Sequence, residues 1–252
     1  MQTAPPRQFS EILGRLSGWV VAPLFAVVSF ARRARTFHPR GSTLHATVSR
    51  HPRAPAELHE LADRLAGRAL VRFSGALWKH AERVPDVLGC AIRFRRDFRD
   101  DAAPASDDQD LLFATIRRPW SMTFAPLATH VRDYLQNDYF GVSPFDIGAR
   151  RPVYFRLHPE AGAAPPEGTR AAKLANEVAR HASLELACSP KPYGPWQPIA
   201  RLSLERPASI DGDQLHFSPF RTGRSVRPRG FIHAMRGRVY DASQAARDAA
   251  LS

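Results

Sequence analysis

Past its N-terminal stretch the chain is a succession of short apolar runs separated by polar and turn-forming residues. Leu44–Val48, Leu70–Ser74, Val87–Phe94, Asp110–Ile116, Val153–Leu157 and Ile199–Leu204 have the length and composition of β-strands. Helical spacing appears in Ala56–Ala66, where Leu58, Leu61 and Leu65 share a face and Gly67 closes the element. It recurs around Pro126–Gln136 and in Arg170–Ala182, where Leu174 and Val178 lie one turn apart. Asp100–Gln109 (acidic) and Pro159–Gly168 (rich in Pro, Ala and Gly) read as loops, and no internal repeat is present. Strands that do not alternate regularly with helices predict an α+β protein built on a mostly antiparallel sheet or barrel.

The N-terminus has a different pattern. Gly18–Ala31 is uncharged and apolar, is interrupted by Pro23, and is followed by Arg32, Arg33 and Arg35. The run is short against the roughly 20 residues that span a bilayer. Arg7, Glu11 and Arg15 precede it, and it has no convincing small-x-small cleavage site for a signal peptide. Two readings stay open: a helix packed on the protein, or an interfacial anchor whose arginines meet anionic headgroups. The expected organisation is therefore a helical segment at 1–34 and one large domain at 35–252.

Composition narrows the class. With 252 residues, 44% apolar and 24% charged, a mainly disordered chain, a collagen-like fibre and a polytopic membrane protein are excluded. The outlying value is a net charge of +12, and of the 36 basic residues only Lys79, Lys173 and Lys191 are lysines. Arginine suits bidentate recognition of phosphate or carboxylate. No DNA-reading helix or RNA-recognition aromatic motif accompanies it, so no nucleic-acid partner is expected, and most of the arginines read as solvated surface. Cys90 and Cys188 lie in apolar runs, as buried free thiols of a reducing, cytoplasmic compartment do.

P-loop, Rossmann glycine, C-x-x-C and H-E-x-x-H patterns are all missing. Three segments remain. Arg35-Thr-Phe-His38-Pro-Arg-Gly41 precedes the first strand. Val71-Arg72-Phe73-Ser74 places an arginine inside an apolar strand. Phe217-Ser218-Pro219 is followed by Arg236-Gly-Arg-Val-Tyr240-Asp-Ala-Ser243-Gln244-Ala-Ala-Arg247. Alone, each reads as surface or packing. In this order they resemble the haem-dependent catalase family, in its minimal, catalase-related peroxidase or hydroperoxide-metabolising branch. Asp86-Val-Leu-Gly89-Cys-Ala91-Ile-Arg-Phe94 is similar to that family's D-x-x-G-x-A-x-x-F strand, and Asp110-Leu111 to the start of its next strand.

The resemblance implies an antiparallel barrel of about eight strands with flanking helices, holding one haem b. It implies Tyr240 as the iron ligand, with Arg236 stabilising the phenolate, and His38 as the distal acid–base residue. It places Arg35, Arg72 and Arg247 at the haem propionates and Val71 and Gln244 at the cofactor. Ser243 stands where the family has threonine, and Phe37 is larger than the usual valine. The asparagine expected after Asp-Leu is absent: Thr115 or Ala114 takes its place, which puts fast dismutation of hydrogen peroxide in doubt. The expected substrate is then a peroxide, with a lipid hydroperoxide favoured by the N-terminal segment and its membrane contact. The alternative is a non-enzymatic haem carrier or sensor on the same scaffold. A homodimer is compatible with either.

Overall fold

The structure, a computed structural model, describes residues 41–76, 82–117, 124–141, 143–160, 167–210 and 215–229. The expected N-terminal segment lies outside these residues. Among the described residues ten strands are present: β1 (Ser42–Arg50), β2 (Gly67–Gly75), β3 (Leu88–Arg95), β4 (Gln109–Ala114), β5 (Tyr139–Gly141), β6 (Phe145–Ile147), β7 (Arg150–Glu160), β8 (Ser183–Ser189), β9 (Gln197–Pro207) and β10 (Arg227–Pro228). Eight of them close a ring in the order β7-β5-β4-β3-β2-β1-β9-β8, with β8 pairing back onto β7. Every pairing is antiparallel, and β6 and β10 extend the sheet outward from β7. Closure leaves the ring without an edge strand.

The barrel forms because alternate residues on each strand are apolar and meet inside. Leu44, Val71 and Ile92 occupy one cross-strand row of the interior, on β1, β2 and β3. A barrel of this size is filled by side chains rather than hollow. Phe73 packs against Tyr134 and Tyr139, with ring centroids at 5.3 and 5.8 Å. The Tyr139 hydroxyl donates to the Tyr134 carbonyl at 2.8 Å. Burial pushes both phenols above their ordinary range, so each is held neutral. Cys90 and Cys188 are buried free thiols, as expected; desolvation raises both, Cys188 to about 11.

Among the described residues the helices are few. One turn at Ala56–Leu58 leads into α1 (His59–Leu65), whose Leu61 and Leu65 are buried against the barrel. Gly67 ends this unit at a φ of +124°, a region that favours glycine. The stretch around Pro126–Gln136 is not the helix its spacing predicts. Only a single turn, α2 (Ala125–Ala128), and a tight turn at Tyr134–Gln136 form. Between them the Thr129 hydroxyl bonds the Ala125 carbonyl, Asp133 accepts from Leu135 N, and Asn137 takes the backbone of His130 and Asp133. These side chains satisfy backbone groups that a continuous helix would have paired. α3 (Arg170–Ala179) is capped by Thr169 and stops short of Ala182, because His181 adopts a φ of +63°. β7 runs through Pro159 and Glu160, so the expected loop starts later than its composition indicates.

The expectation of solvated arginines fails at several positions. Arg93 and Arg95 point outward from β3 yet are almost completely buried, and Arg170 and Arg224 are buried as well. Arg95 donates to the carbonyls of Arg99, Asp101 and Ala103, so its guanidinium organises the loop between β3 and β4. Arg224 donates to the carbonyls of Arg64 and Ala66 and so satisfies the end of α1. No helix among the described residues is long and apolar enough to cross a membrane.

Candidate functional site

The register of β1 to β4 defines the outer face of the barrel wall. Thr43, Arg72, Ala91 and Leu112 lie side by side in one row. On one side the next row is Ser74, Gly89 and Ala114, with Phe140 of β5 beyond. On the other side it is His45, Leu70, Arg93 and Asp110. The middle of this face therefore carries glycine, alanine and serine where long side chains are usual. Gly89, Ala91, Leu112 and Ala114 remain partly exposed. The result is a strip of small side chains; besides Arg93 in the row beyond, it is bordered by one buried guanidinium in Ala91's own row.

That guanidinium belongs to Arg72, which is 8% exposed. It lies against Gly41: a Cβ there would lie 2.7 Å from Arg72 Nε and 3.1 Å from Cζ. The last residue of the R-x-x-H-x-x-G segment is thus in contact with the arginine of the V-R-F-S strand. Val71 points the other way, into the barrel between Leu44 and Ile92. Thr115 follows β4 immediately. Its Oγ1 accepts from Leu88 N at 3.2 Å and lies 2.8 Å from Thr129 Oγ1. The Thr129 proton goes to the Ala125 carbonyl, so Thr115 donates to Thr129 and keeps one lone pair. Strand parity puts Ala114, not Thr115, in the row with Gly89. Arg35, His38, Arg236, Tyr240, Gln244 and Arg247 lie outside the described residues.

Ser74, Gly89 and Ala91 complete the strip. Gly89 and Ala91 are visible in the sequence as motif letters, but only the register shows that they share a face with Arg72.

The row containing Asp110 is covered by residues 216–226. Arg93 Nε donates to Asp110 Oδ1 at 3.0 Å, and both side chains are fully buried. Asp110 Oδ2 accepts from Ser218 N at 2.8 Å and pairs with Arg221 Nη1. Arg93 also donates to the His216 carbonyl and lies over the Phe217 ring.

His51, Glu160 and Glu185 form a second cluster, on the far side of the barrel, with ligand-type atoms within 4.8 Å of one another. Its chemistry does not suit a cation. His51 Nδ1 accepts from Arg53 N at 3.1 Å, which leaves the ring proton on Nε2, facing Glu160 and Glu185 at 3.5 and 3.6 Å. Arg53, Arg156 and Arg201 already neutralise the two carboxylates. Burial alone would raise the Glu160 carboxyl, but hydrogen bonds from Arg201 and Ser183 hold it at about 2.

A closed eight-stranded antiparallel barrel with few helices makes this a catalase-like α+β fold. The solved structure of a bacterial catalase is similar, with a TM-score of 0.51 at 14% sequence identity. The likeness covers 91% of this chain and 58% of the catalase chain, so the protein spans under two thirds of that enzyme's length. No family model matches the sequence, and no curated protein does.

Proposed function

We propose that the protein is a haem-dependent enzyme that metabolises hydroperoxides, as a peroxidase or weak catalase. The observation that carries this reading is Arg72, buried and pressed against Gly41 at the border of the Ser74–Gly89–Ala91–Ala114 strip. A planar macrocycle needs a flat wall free of long side chains, and its carboxylates need fixed cations. Ser74, Gly89, Ala91 and Ala114 supply the small side chains, with Leu112 beside them, and Arg72 supplies a cation. Arg72 would hold one propionate, with Arg35 and Arg247 as the other matched arginines. Tyr240 is the residue this reading assigns to the iron, and Arg236 would lower its phenol by placing a cation beside the oxygen. Bound haem supplies the ferric centre at which a peroxide O–O bond is cleaved. His38 is the group that would take the proton from one peroxide oxygen and return it to the other.

Purified protein titrated with haem should give a high-spin ferric spectrum, and Tyr240→Phe should change it. A spectrum unaltered by that substitution defeats the assignment. For the substrate, we favour a lipid hydroperoxide delivered through the apolar Gly18–Ala31 segment. Faster turnover of hydrogen peroxide than of a fatty-acid hydroperoxide, at rates typical of large catalases, would reverse that preference. One observation favours the alternative of a haem carrier or sensor: at the position expected to hold asparagine, Thr115 has its proton engaged by Thr129. Under that alternative there is no turnover for His38→Ala to remove; under the enzymatic reading the substitution abolishes turnover while haem stays bound.

A further inference from the structure

Residues 215–229 contain only the two-residue strand β10, yet their backbone is held at many points. The holding groups are two consecutive side chains at the start of β4. Gln109 Nε2 donates to the carbonyls of Arg221 and Val226 at 2.9 and 3.1 Å, while its Oε1 accepts from Val226 N at 3.3 Å. Asp110 accepts from Ser218 N and from Arg221, and its own amide donates to the Arg221 carbonyl at 3.1 Å. The anion is shared between Arg93, which belongs to the barrel, and Arg221, which belongs to the segment. Arg93 already compensates the buried carboxylate from the barrel side, so Arg221 serves to tie the covering segment to it, whereas removing Asp110 would leave Arg93 uncompensated in a dry site. The register puts this cluster in the row next to Arg72, Ala91 and Leu112.

We propose that Asp110 is a positioning residue: through Arg221 it fixes residues 216–226 as the side wall of the Arg72 strip, and so sets the width of the site. The inference rests on the haem reading above and adds a residue to it.

Asp110→Asn strands Arg93 in the interior and risks unfolding the barrel, so the informative variant is Arg221→Gln, which keeps the Arg93–Asp110 pair. Arg221→Lys serves as the conservative rescue. Two measurements are made on the full chain. In the haem-free protein, hydrogen exchange at the amides of 216–226 should rise about tenfold in Arg221→Gln, with β1 and β9 unchanged and the lysine variant near wild type. In the haem titration, Arg221→Gln should bind about tenfold more weakly with an altered ferric spectrum, at an unchanged melting temperature. Unchanged exchange at 216–226 overturns the clamp. Raised exchange with wild-type haem affinity and spectrum overturns its positioning role alone. Wild-type protein that takes up no haem overturns the haem reading and the positioning role with it, and the exchange result then stands as a property of the fold only.

Discussion

The guanidinium of Arg72 lies directly against Gly41, so close that a Cβ on the glycine would be 2.7 Å from Nε and 2.8 Å from the Phe73 carbonyl oxygen. A side chain can swing aside, but the Phe73 carbonyl belongs to the β1–β2 ladder and cannot. Gly41→Ala should therefore destabilise the fold by about 1–3 kcal/mol and displace Arg72. Urea unfolding measures the first effect and haem titration the second. An alanine variant as stable as the parent, with the parent's haem affinity, would show that the contact has no role.

Arg72 itself can be tested without that strain. On the haem reading, its contribution to a bound propionate would come from charge-assisted hydrogen bonds in a nearly dry position. Arg72→Ala should weaken haem binding about tenfold to a hundredfold. Arg72→Lys should recover only part of it, because an ammonium keeps the charge and loses the planar fork. Full recovery by lysine would indicate that charge alone matters there.

How much of this was legible beforehand follows from which interactions decide each part. The strands β1, β2, β3 and β9 alternate over several residues because one face of each enters the core, so their pattern is written locally. β5 and β6 are only three residues long, and their pairing partners rather than their own composition make them strands. β8 is not among the strands expected from the pattern; it is buried almost throughout because β7 and β9 flank it on both sides. Motif letters pointed to Arg72 and Gly41, but not to their contact. The strip needed the register: Gly89 and Ala91 become a surface only when aligned with Arg72, Ser74 and Ala114. Arg93 and Arg95 alternate with apolar neighbours as exposed residues do. Their burial depends on the 96–108 loop and the 216–224 segment folding back over β3, which nothing local encodes.

Glu160 predicts a pH dependence. Its carboxyl is held at about 2 in the folded protein, below the ordinary carboxyl range of about 4.3 in an unfolded chain. A depressed acid stabilises the fold above its unfolded value, and that stability is lost as pH falls from about 4.5 through about 2. Between about pH 5 and 2.5, wild type should lose on the order of 1–2 kcal/mol more than Glu160→Gln. Above about pH 5 the two profiles should run parallel. Urea midpoints measured across this range decide it: parallel curves below about pH 5 would mean that Arg201 and Ser183 do not hold the carboxyl down.

The strip makes the sharpest separation between fold and function. Ala91 lies on the outer wall, partly exposed and flanked by Arg72 and Leu112 in its row. Ala91→Leu adds bulk to the middle of the flat surface without touching the barrel interior, so stability should change by no more than about 0.5 kcal/mol. A planar ligand lying against Gly89 and Ala91 would be lifted off by the new isobutyl group. Haem binding should then fall at least as far as in Arg72→Ala, while the circular dichroism spectrum and urea midpoint match wild type. Ile92→Leu, one residue along and facing inward, is the matched control: it should perturb packing slightly and leave haem binding unchanged. If Ala91→Leu binds haem as wild type does, the group does not lie on this face.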